Sequence, residues 1–562
     1  MKNKEIAKLL YEIADYLEIK DVNYKPRAYR KAAGNIEALT EDIENIYERG
    51  ELEEIGGVGE AIAKKISEYL ETGKLEYYEK LAKDLPVNIE ELTSIEGVGP
   101  KTVKKLYNSL GVETLEDLEK AAEEGKVAQI KGFGEKVQKN ILENIKVAKR
   151  GRERRLLGKV FPLVEDLKQR LLDKDVFNRV TIVGSYRRRK PTIGDVDVLA
   201  TAKKSEEAMD EFCALGDVVE ILAKGDTKSS IILSGGIQVD IRIVEEEAWG
   251  SALMYFTGSK DHNVSLRSKA KGRNWKLNEY GLFGPEDDRL ASKSEKEVYE
   301  RLDMSFIPPE LRENTGEIKA AEKDSIPVLV EEEDIRGDLQ VHTNYSDGSG
   351  TIEQMVERAL DKGFEYLLIS DHGPSLKIAG GLTEEEFEEQ AEEIEQVKDR
   401  FGVEILHGIE ANITKDGLDI SKDWCDRCDI LCVGMHDRPD DPTERILSIF
   451  DEYPIDIFVH PLGRRFFSRE PLDINLDRIA SKAEEEHISF EINSQPERLD
   501  LDWQNVKKYR DKLKYVISTD AHSKEQMNFM HLGVSQARRG WCSKENILNT
   551  QPIDGVRSYL NG

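Results

Sequence analysis

Asp195 and Asp197 stand two residues apart at the head of an alternating apolar run, GDVDVLATA, and Asp240 interrupts a second run, GGIQVDIRIV. Residues two apart in a strand face the same side, so Asp195 and Asp197 present their carboxylates to one point. Such a pair is costly without a cation between its members. Three aspartates of this kind fit two magnesium ions that hold a nucleotide triphosphate and an attacking hydroxyl in line. A second set of metal-seeking side chains follows, because eight of the nine histidines fall between positions 342 and 531. His342 and Asp347 (VHTNYSDG), His372 (LLISDHG) and Glu410 (ILHGIEANI) each come just after an apolar run. His436 (LCVGMHD), His460 (IFVHPLG), and Asp520 with His522 (VISTDAH) do the same. Successive parallel strands of a barrel deliver ligands to one carboxyl-terminal rim in this way. His407, His487 and His531 lack that placement and read as structural.

The segment 179–202, RVTIVGSYRRRKPTIGDVDVLATA, predicts a strand, a Gly-Ser turn, a basic loop and a second strand. Upstream the pattern is helical and repeats. IGGVG (55–59), IEGVG (95–99) and IKGFG (130–134) each separate two helical stretches, which predicts three helix-hairpin-helix units. Their glycines, Gly57, Gly59, Gly97, Gly99, Gly132 and Gly134, permit a tight turn and leave N–H groups at the start of the following helix, where a phosphate backbone is favoured. The charged, helix-poor stretch 314–337 reads as a linker. A chain of 562 residues predicts three or more compact units.

The net charge of −29 does not exclude nucleic acid, because it is unevenly spread. Residues 336–562 hold 27 basic and 45 acidic side chains, whereas 149–190 hold 14 basic and 5 acidic, a local +9. A positive stripe in an acidic protein attracts phosphate locally while limiting indiscriminate binding. No apolar run reaches the roughly 20 residues of a membrane span, and the amino-terminal MKNKEIAKLLYEIADYLE is an amphipathic helix without a secretory cleavage pattern. Five cysteines are too few for a disulfide framework, and CDRCDILC reads as a buried strand edge rather than a zinc site. A cytoplasmic protein, probing no membrane, is the expectation.

GSYRRRKPTIGDVDVL, VDIRIV, YFTGSKDHN followed by LR, and NEYGLF together resemble the palm and nucleotide-binding region of the family X (polymerase beta-like) DNA polymerases. RAYRKAAGNI and IGGVGEAIAKKISEYLETGKL resemble that family's lyase domain. The resemblance implies metal binding by Asp195, Asp197 and Asp240, with Mg2+ or Mn2+ and with Asp240 nearest the primer 3′-hydroxyl. It implies that Gly184, Ser185, Arg188 and the backbone at Gly194 hold the triphosphate. Tyr255, Phe256 and Gly258 would wall the sugar, and Asn263 and Arg267 would touch the base pair and template. Lys260 stands where the vertebrate members carry an acid. Lys65 matches the Schiff-base lysine, although Glu53 and Ala61 stand where the family has lysines.

The eight barrel residues resemble the metal ligands of the PHP (polymerase and histidinol phosphatase) domain, which in prokaryotic family X polymerases hydrolyses phosphodiester bonds with three metals, Zn2+ or Mn2+. The family's first strand reads His-x-His, whereas this chain has Gln340-Val341-His342, which implies one weak or empty metal position. The implied architecture is multidomain. It comprises a lyase-like helical domain (1–83), a second helix-hairpin-helix subdomain (84–148), an α+β palm (149–244), a thumb-like nucleotide-selection subdomain (245–316), a linker (317–335) and a (β/α) PHP barrel (336–562). The implied activity is gap-filling repair synthesis by a monomer on gapped or primer-template DNA with deoxynucleoside triphosphates, joined to 3′–5′ exonuclease or end processing. A polymerase with a silent barrel scaffold is the alternative. A small-molecule phosphoesterase fits the barrel but ignores residues 1–316.

Overall fold

The computed structural model describes residues 2–37, 43–93, 95 and 97–560. Two compact units emerge, Met1–Arg152 with Arg465–Glu470, and Glu153–Arg464 with Pro471–Gly562.

The first unit is helical among its described residues, and its three hairpins share one geometry. Gly57, Gly97 and Gly132 take φ of 80°, 83° and 92°, a left-handed backbone that a side chain would strain. The turns close when Val58 N–H donates to Ile55 O, Val98 N–H to Ile95 O and Phe133 N–H to Ile130 O, each at 2.9 Å. Helices α1 (Glu60–Thr72), α2 (Pro100–Leu110) and α3 (Glu135–Glu153) then begin. No side chain caps α1 or α2, so their first amides face outward at the dipole's positive end. Apolar residues at helical spacing, Ile62 and Ile66 in α1 or Val103 and Leu106 in α2, are buried. One hydrophobic core runs from Ile6 to Ile145, so the two helical segments separated at residue 84 share a single interior.

The second unit opens with a mixed sheet of β1 (Phe177–Ile182), β2 (Asp195–Ala202), β3 (Val218–Lys224), β4 (Lys228–Leu233) and β5 (Gln238–Ile243), in the order β1-β2-β5-β4-β3. Only β2 and β5 pair in parallel, with Asp197 directly beside Asp240. Val196, Val198, Val239 and Ile241 point to the buried face, each contributing roughly 1.5–3 kcal/mol, and this fixes the aspartates on the other face. Helices α4 (Trp249–Thr257) and α5 (Lys260–Lys271) follow, with a small antiparallel sheet of β6 (Lys276–Asn278), β7 (Gly281–Phe283) and β8 (Arg289–Ala291).

Glu295 ties the thumb to the palm. Its buried carboxylate accepts from Arg187 at 2.7 and 2.8 Å and from Arg312 at 2.6 Å. Burial alone would raise its pKa, but the two guanidiniums hold it down at about 2. The stabilisation is therefore present above the usual carboxyl pKa near 4.5 and is lost as pH falls toward 2. Glu295→Gln is expected to cost about 3–5 kcal/mol at neutral pH, read as a lower midpoint in chemical denaturation, with the deficit shrinking in acid.

Residues 317–335 are packed rather than helix-poor: Glu317–Glu322 is helical, and Leu329 and Val330 are buried. The chain then forms seven parallel strands, β9 (Gly337–Val341), β10 (Tyr366–Ile369), β11 (Glu404–Thr414), β12 (Ile430–Gly434), β13 (Ile457–Phe458), β14 (Ser489–Asn493) and β15 (Tyr515–Ser518). They pair in chain order, and His342 N–H donating to Ala521 O at 2.9 Å brings the first strand to the end of the last, nearly closing a barrel. Their continuous apolar character follows from burial on both faces. Leu367, Ile405 and Val433 pack outward under helices, while Leu339, Leu368, Leu406 and Val516 form a second cluster. Cys425 and Cys432 are buried within these clusters, and no cysteine belongs to a metal-ligating group among the described residues. Helix α6 (Met530–Arg539) follows the last strand.

Candidate functional sites

In the palm, the Gly-Ser turn presses its backbone against the carboxylates. Gly184 takes φ of 61°, and a Cβ there would lie 2.1 Å from Asp197 Oδ2. Burial, then repulsion from Asp195 and Asp240, pushes the Asp197 carboxyl up to about 6, against the pull of Arg188 and Lys228. Three clustered carboxylates, one raised by burial and by the charge of the other two, fit divalent cations. A cavity of about 430 Å³ opens over Asp195 and Asp197. Asp195, Asp197, Gly184, Ser185 and Arg188 line it from the palm. Tyr255, Phe256 and Gly258 line it from the α4 end, and Asn263 and Arg267 from α5. Gly194 and Asp240 are not among its lining residues. Asp240 sits beside Asp197, accepting from Gln238 Nε2 at 3.0 Å with Lys228 Nζ at 3.9 Å. Arg154, Lys190 and Lys260 add positive charge to the cavity. The basic stretch 149–190 signalled charge there without showing which members turn inward: Arg187 instead pairs with Glu295, and Arg170 with Asp217.

At the barrel's carboxyl-terminal rim the eight predicted residues converge. Three overlapping groups form: His342, Asp347, His372 and His522; His372, Glu410 and His436; and His342, Glu410 and Asp520. His460 joins them, its Nε2 lying 2.9 Å from Glu410 Oε1. Glu410 is central, with His436 Nε2 at 3.3 Å from Oε1, and His342 Nε2 at 3.4 Å and His372 Nδ1 at 3.5 Å from Oε2. His342 Nε2 also lies 3.1 Å from Asp520 Oδ1, and His522 Nε2 lies 3.2 Å from Asp347 Oδ1. Burial would raise the Glu410 pKa, yet the surrounding imidazoles hold it well below the usual range. Burial keeps His436 neutral, its pKa lowered to about 3, which leaves a lone pair for a metal. His342 Nε2 and His372 Nδ1, both facing Glu410, are buried without a hydrogen bond, which suits nitrogens that would ligate a cation. The donor set of imidazoles and carboxylates fits zinc or manganese.

Gln340 is fully buried in the same group, and its Nε2 donates to Glu410 Oε2 at 2.9 Å. An amide proton thus occupies the carboxylate oxygen that faces His342 and His372. Sequence reasoning missed the side chains that orient the ligands. Asn412 accepts from the His436 imidazole at 3.2 Å, and Asn493 Nδ2 donates to Asp520 Oδ2 at 2.9 Å, with Arg498 Nε at 3.4 Å. Asn493 ends β14, the one apolar run whose end carries no His, Asp or Glu ligand, and that gap in the pattern was the available signal. His407 stacks on Phe387 at 3.9 Å, and His487 packs near Tyr559, away from the groups.

Comparison with known proteins agrees with both halves. The helix-hairpin-helix domain matches residues 1–75 and the SAM-like helix-hairpin-helix tandem matches 89–146. The DNA polymerase beta palm matches 159–253, the DNA polymerase beta thumb 252–313, and the PHP domain 338–531. Across 571 aligned positions the chain is 34% identical to the DNA polymerase/3'-5' exonuclease PolX of Bacillus subtilis (strain 168), covering 100% of this chain and 99% of that one. The chain belongs to the family X DNA polymerases that carry a PHP domain. DNA polymerase lambda of Rattus norvegicus and of Arabidopsis thaliana are each 25% identical over 55% of this chain, and over 56% and 62% of their own lengths.

The family's lyase position falls in the helical unit. Lys65 lies on α1, its Nζ 3.0 Å from Ala61 O and 4.8 Å from the centre of the Tyr77 ring. Burial, then the Lys25 charge, lowers its pKa, which raises the fraction of free amine that a Schiff base requires. Lys25 therefore supplies positive charge that Glu53 and Ala61 do not, a residue the sequence reading passed over. If Lys65 reacts with an abasic sugar, borohydride will trap a covalent protein–DNA adduct that Lys65→Ala loses. An adduct undiminished in Lys65→Ala would assign the reaction to another lysine, with neighbouring Lys64 the first to test.

Proposed function

We propose that this enzyme is a template-directed DNA polymerase that fills gaps during DNA repair, joined to a metal-dependent 3′–5′ exonuclease. The single observation that carries the reading is the presence, in one compact unit, of the Asp195/Asp197/Asp240 triad at a basic cavity that Asp195 and Asp197 line, and of a barrel rim where eight candidate ligands meet. Asp195, Asp197 and Asp240 would hold Mg2+ or Mn2+, and His342, Asp347, His372, Glu410, His436, His460, Asp520 and His522 would hold Zn2+ or Mn2+. When bound, these ions neutralise triphosphate charge and acidify the attacking hydroxyl in the palm, and activate water against a phosphodiester at the rim.

The protein's own groups do the rest. Arg188 offers a planar fork to phosphate oxygens, with Ser185 and the backbone of Gly184 and Gly194 beside it. Asp240 takes the position nearest the primer 3′-hydroxyl. Tyr255, Phe256 and Gly258 pack against the incoming sugar, and Asn263 and Arg267 contact the base pair and template. Lys260 adds a positive contact to the nucleotide where the vertebrate members place an acid. The hairpin glycines Gly57, Gly59, Gly97, Gly99, Gly132 and Gly134 set helix amides against DNA phosphates. Gapped or primer-template DNA and deoxynucleoside triphosphates are the substrates, and the cytoplasm is the place of work.

One labelled primer annealed across a gap tests the whole reading. It should lengthen with nucleotides and Mg2+, and shorten from its 3′ end with Mn2+ when nucleotides are withheld. Growth without shortening would leave a polymerase carrying a silent barrel, and shortening without growth would remove the polymerase assignment.

A further inference from the structure

Arg539, the last residue of barrel helix α6, is 1% exposed and reaches the polymerase cavity's wall. Its Nη1 donates to the backbone carbonyl of Arg188 at 2.5 Å. The same Nη1 and Nη2 each lie 3.2 Å from Glu313 Oε1. That carboxylate oxygen also accepts from Arg188 Nε at 3.1 Å, while Arg188 Nη1 donates to Thr257 O at 2.5 Å. One carboxylate from the thumb's end is thus shared between a cavity arginine and a barrel arginine. The barrel grips the same thumb segment on both sides: Arg538 Nε donates to Glu310 at 2.9 Å, and Lys507 Nζ to Thr315 O at 2.6 Å.

We propose that Arg539 is a positioning residue for nucleotide binding, by which the PHP barrel holds the phosphate-binding Arg188 in place for polymerisation. The proposal rests on reading the cavity as the triphosphate site. Two consequences follow from charge. Arg539 anchors the Arg188 backbone, and by sharing Glu313 it keeps that carboxylate from pairing with Arg188 alone. Without Arg539 the carboxylate would compete with triphosphate for the guanidinium, and the anchor would be gone. Both effects weaken ground-state binding of the nucleotide, and neither acts on the reacting atoms.

Arg539→Met, which keeps the aliphatic bulk, is therefore expected to raise KM for the nucleotide on gapped DNA roughly 10- to 100-fold, the scale of a charge-assisted hydrogen bond, with kcat changed less than about threefold. Mn2+-dependent shortening of the primer should stay at the level of the unaltered protein. Arg539→Lys should recover part of the KM, because an ammonium keeps the charge but cannot fork between carbonyl and carboxylate. Glu313→Gln removes the competing carboxylate, so added to Arg539→Met it should recover part of the lost KM, and the two changes should not be additive. An unchanged KM in Arg539→Met overturns the proposal. So does an equal fall of kcat, nuclease rate and thermal midpoint in Arg539→Met when neither Arg539→Lys nor the addition of Glu313→Gln recovers any of the KM. An unaltered protein that adds no nucleotide would instead overturn the polymerase reading itself, so the two failures are distinct.

Discussion

Asp195→Ala combined with Asp197→Ala abolishes nucleotide addition and leaves the nuclease and DNA binding largely intact. These carboxylates share one strand face against Asp240, and burial with mutual repulsion already pushes Asp197 up to about 6. Nucleotide addition depends on cations held between these carboxylates, and removing two of three removes the means of holding them. Valines at 196 and 198 carry the strand's packing, so the sheet should survive, and an unchanged melting transition checks that. The nuclease ligands lie on other strands and keep their geometry. Extension by the double variant at an appreciable fraction of the original rate would show that the palm assignment is wrong.

Glu410→Gln has the second large effect, on the barrel. Its two oxygens serve four imidazoles between 2.9 and 3.5 Å, so the near-isosteric amide removes the one charge that two of the three overlapping groups share. Metal content should fall by at least one equivalent and the exonuclease by roughly a hundredfold or more, while polymerisation persists. Gln340→His tests the same centre from the other side. Its amide now donates to Glu410, and a histidine there would offer a lone pair instead of a proton. Metal occupancy and nuclease rate should rise together, and the unmodified protein should need more added Mn2+ than a relative with His-x-His. Extra metal in Gln340→His without faster cleavage would mark the barrel as a scaffold, and a full complement of three in the unmodified protein would mark the glutamine as an adequate ligand.

Much of this was legible along the chain because the signals are local. Alternation in GDVDVL dictates that Asp195 and Asp197 share a face, whatever packs behind them. Glycine in the hairpins reports a left-handed turn because other residues resist it, and the structure repeats that turn three times. Parallel strands buried on both faces must be apolar, so the ligands that follow six of the seven strand runs stand out against them. Side chains that act across the fold left no such mark. Arg539 reads as an ordinary arginine at a helix end, and Glu313 as one acid in a charged stretch, 226 residues away. Asn412, Asn493 and Arg498 orient ligands from strands and loops that only barrel closure brings together. Hydrogen bonds and ion pairs between such distant residues depend on where two backbones meet, and that is set by the packing of the whole interior. Sequence by itself determined the kinds of residue at each site and the strand faces carrying them; tertiary structure alone decided which carboxylate each arginine meets, because charge pairing acts over a few ångströms of space and is indifferent to separation along the chain.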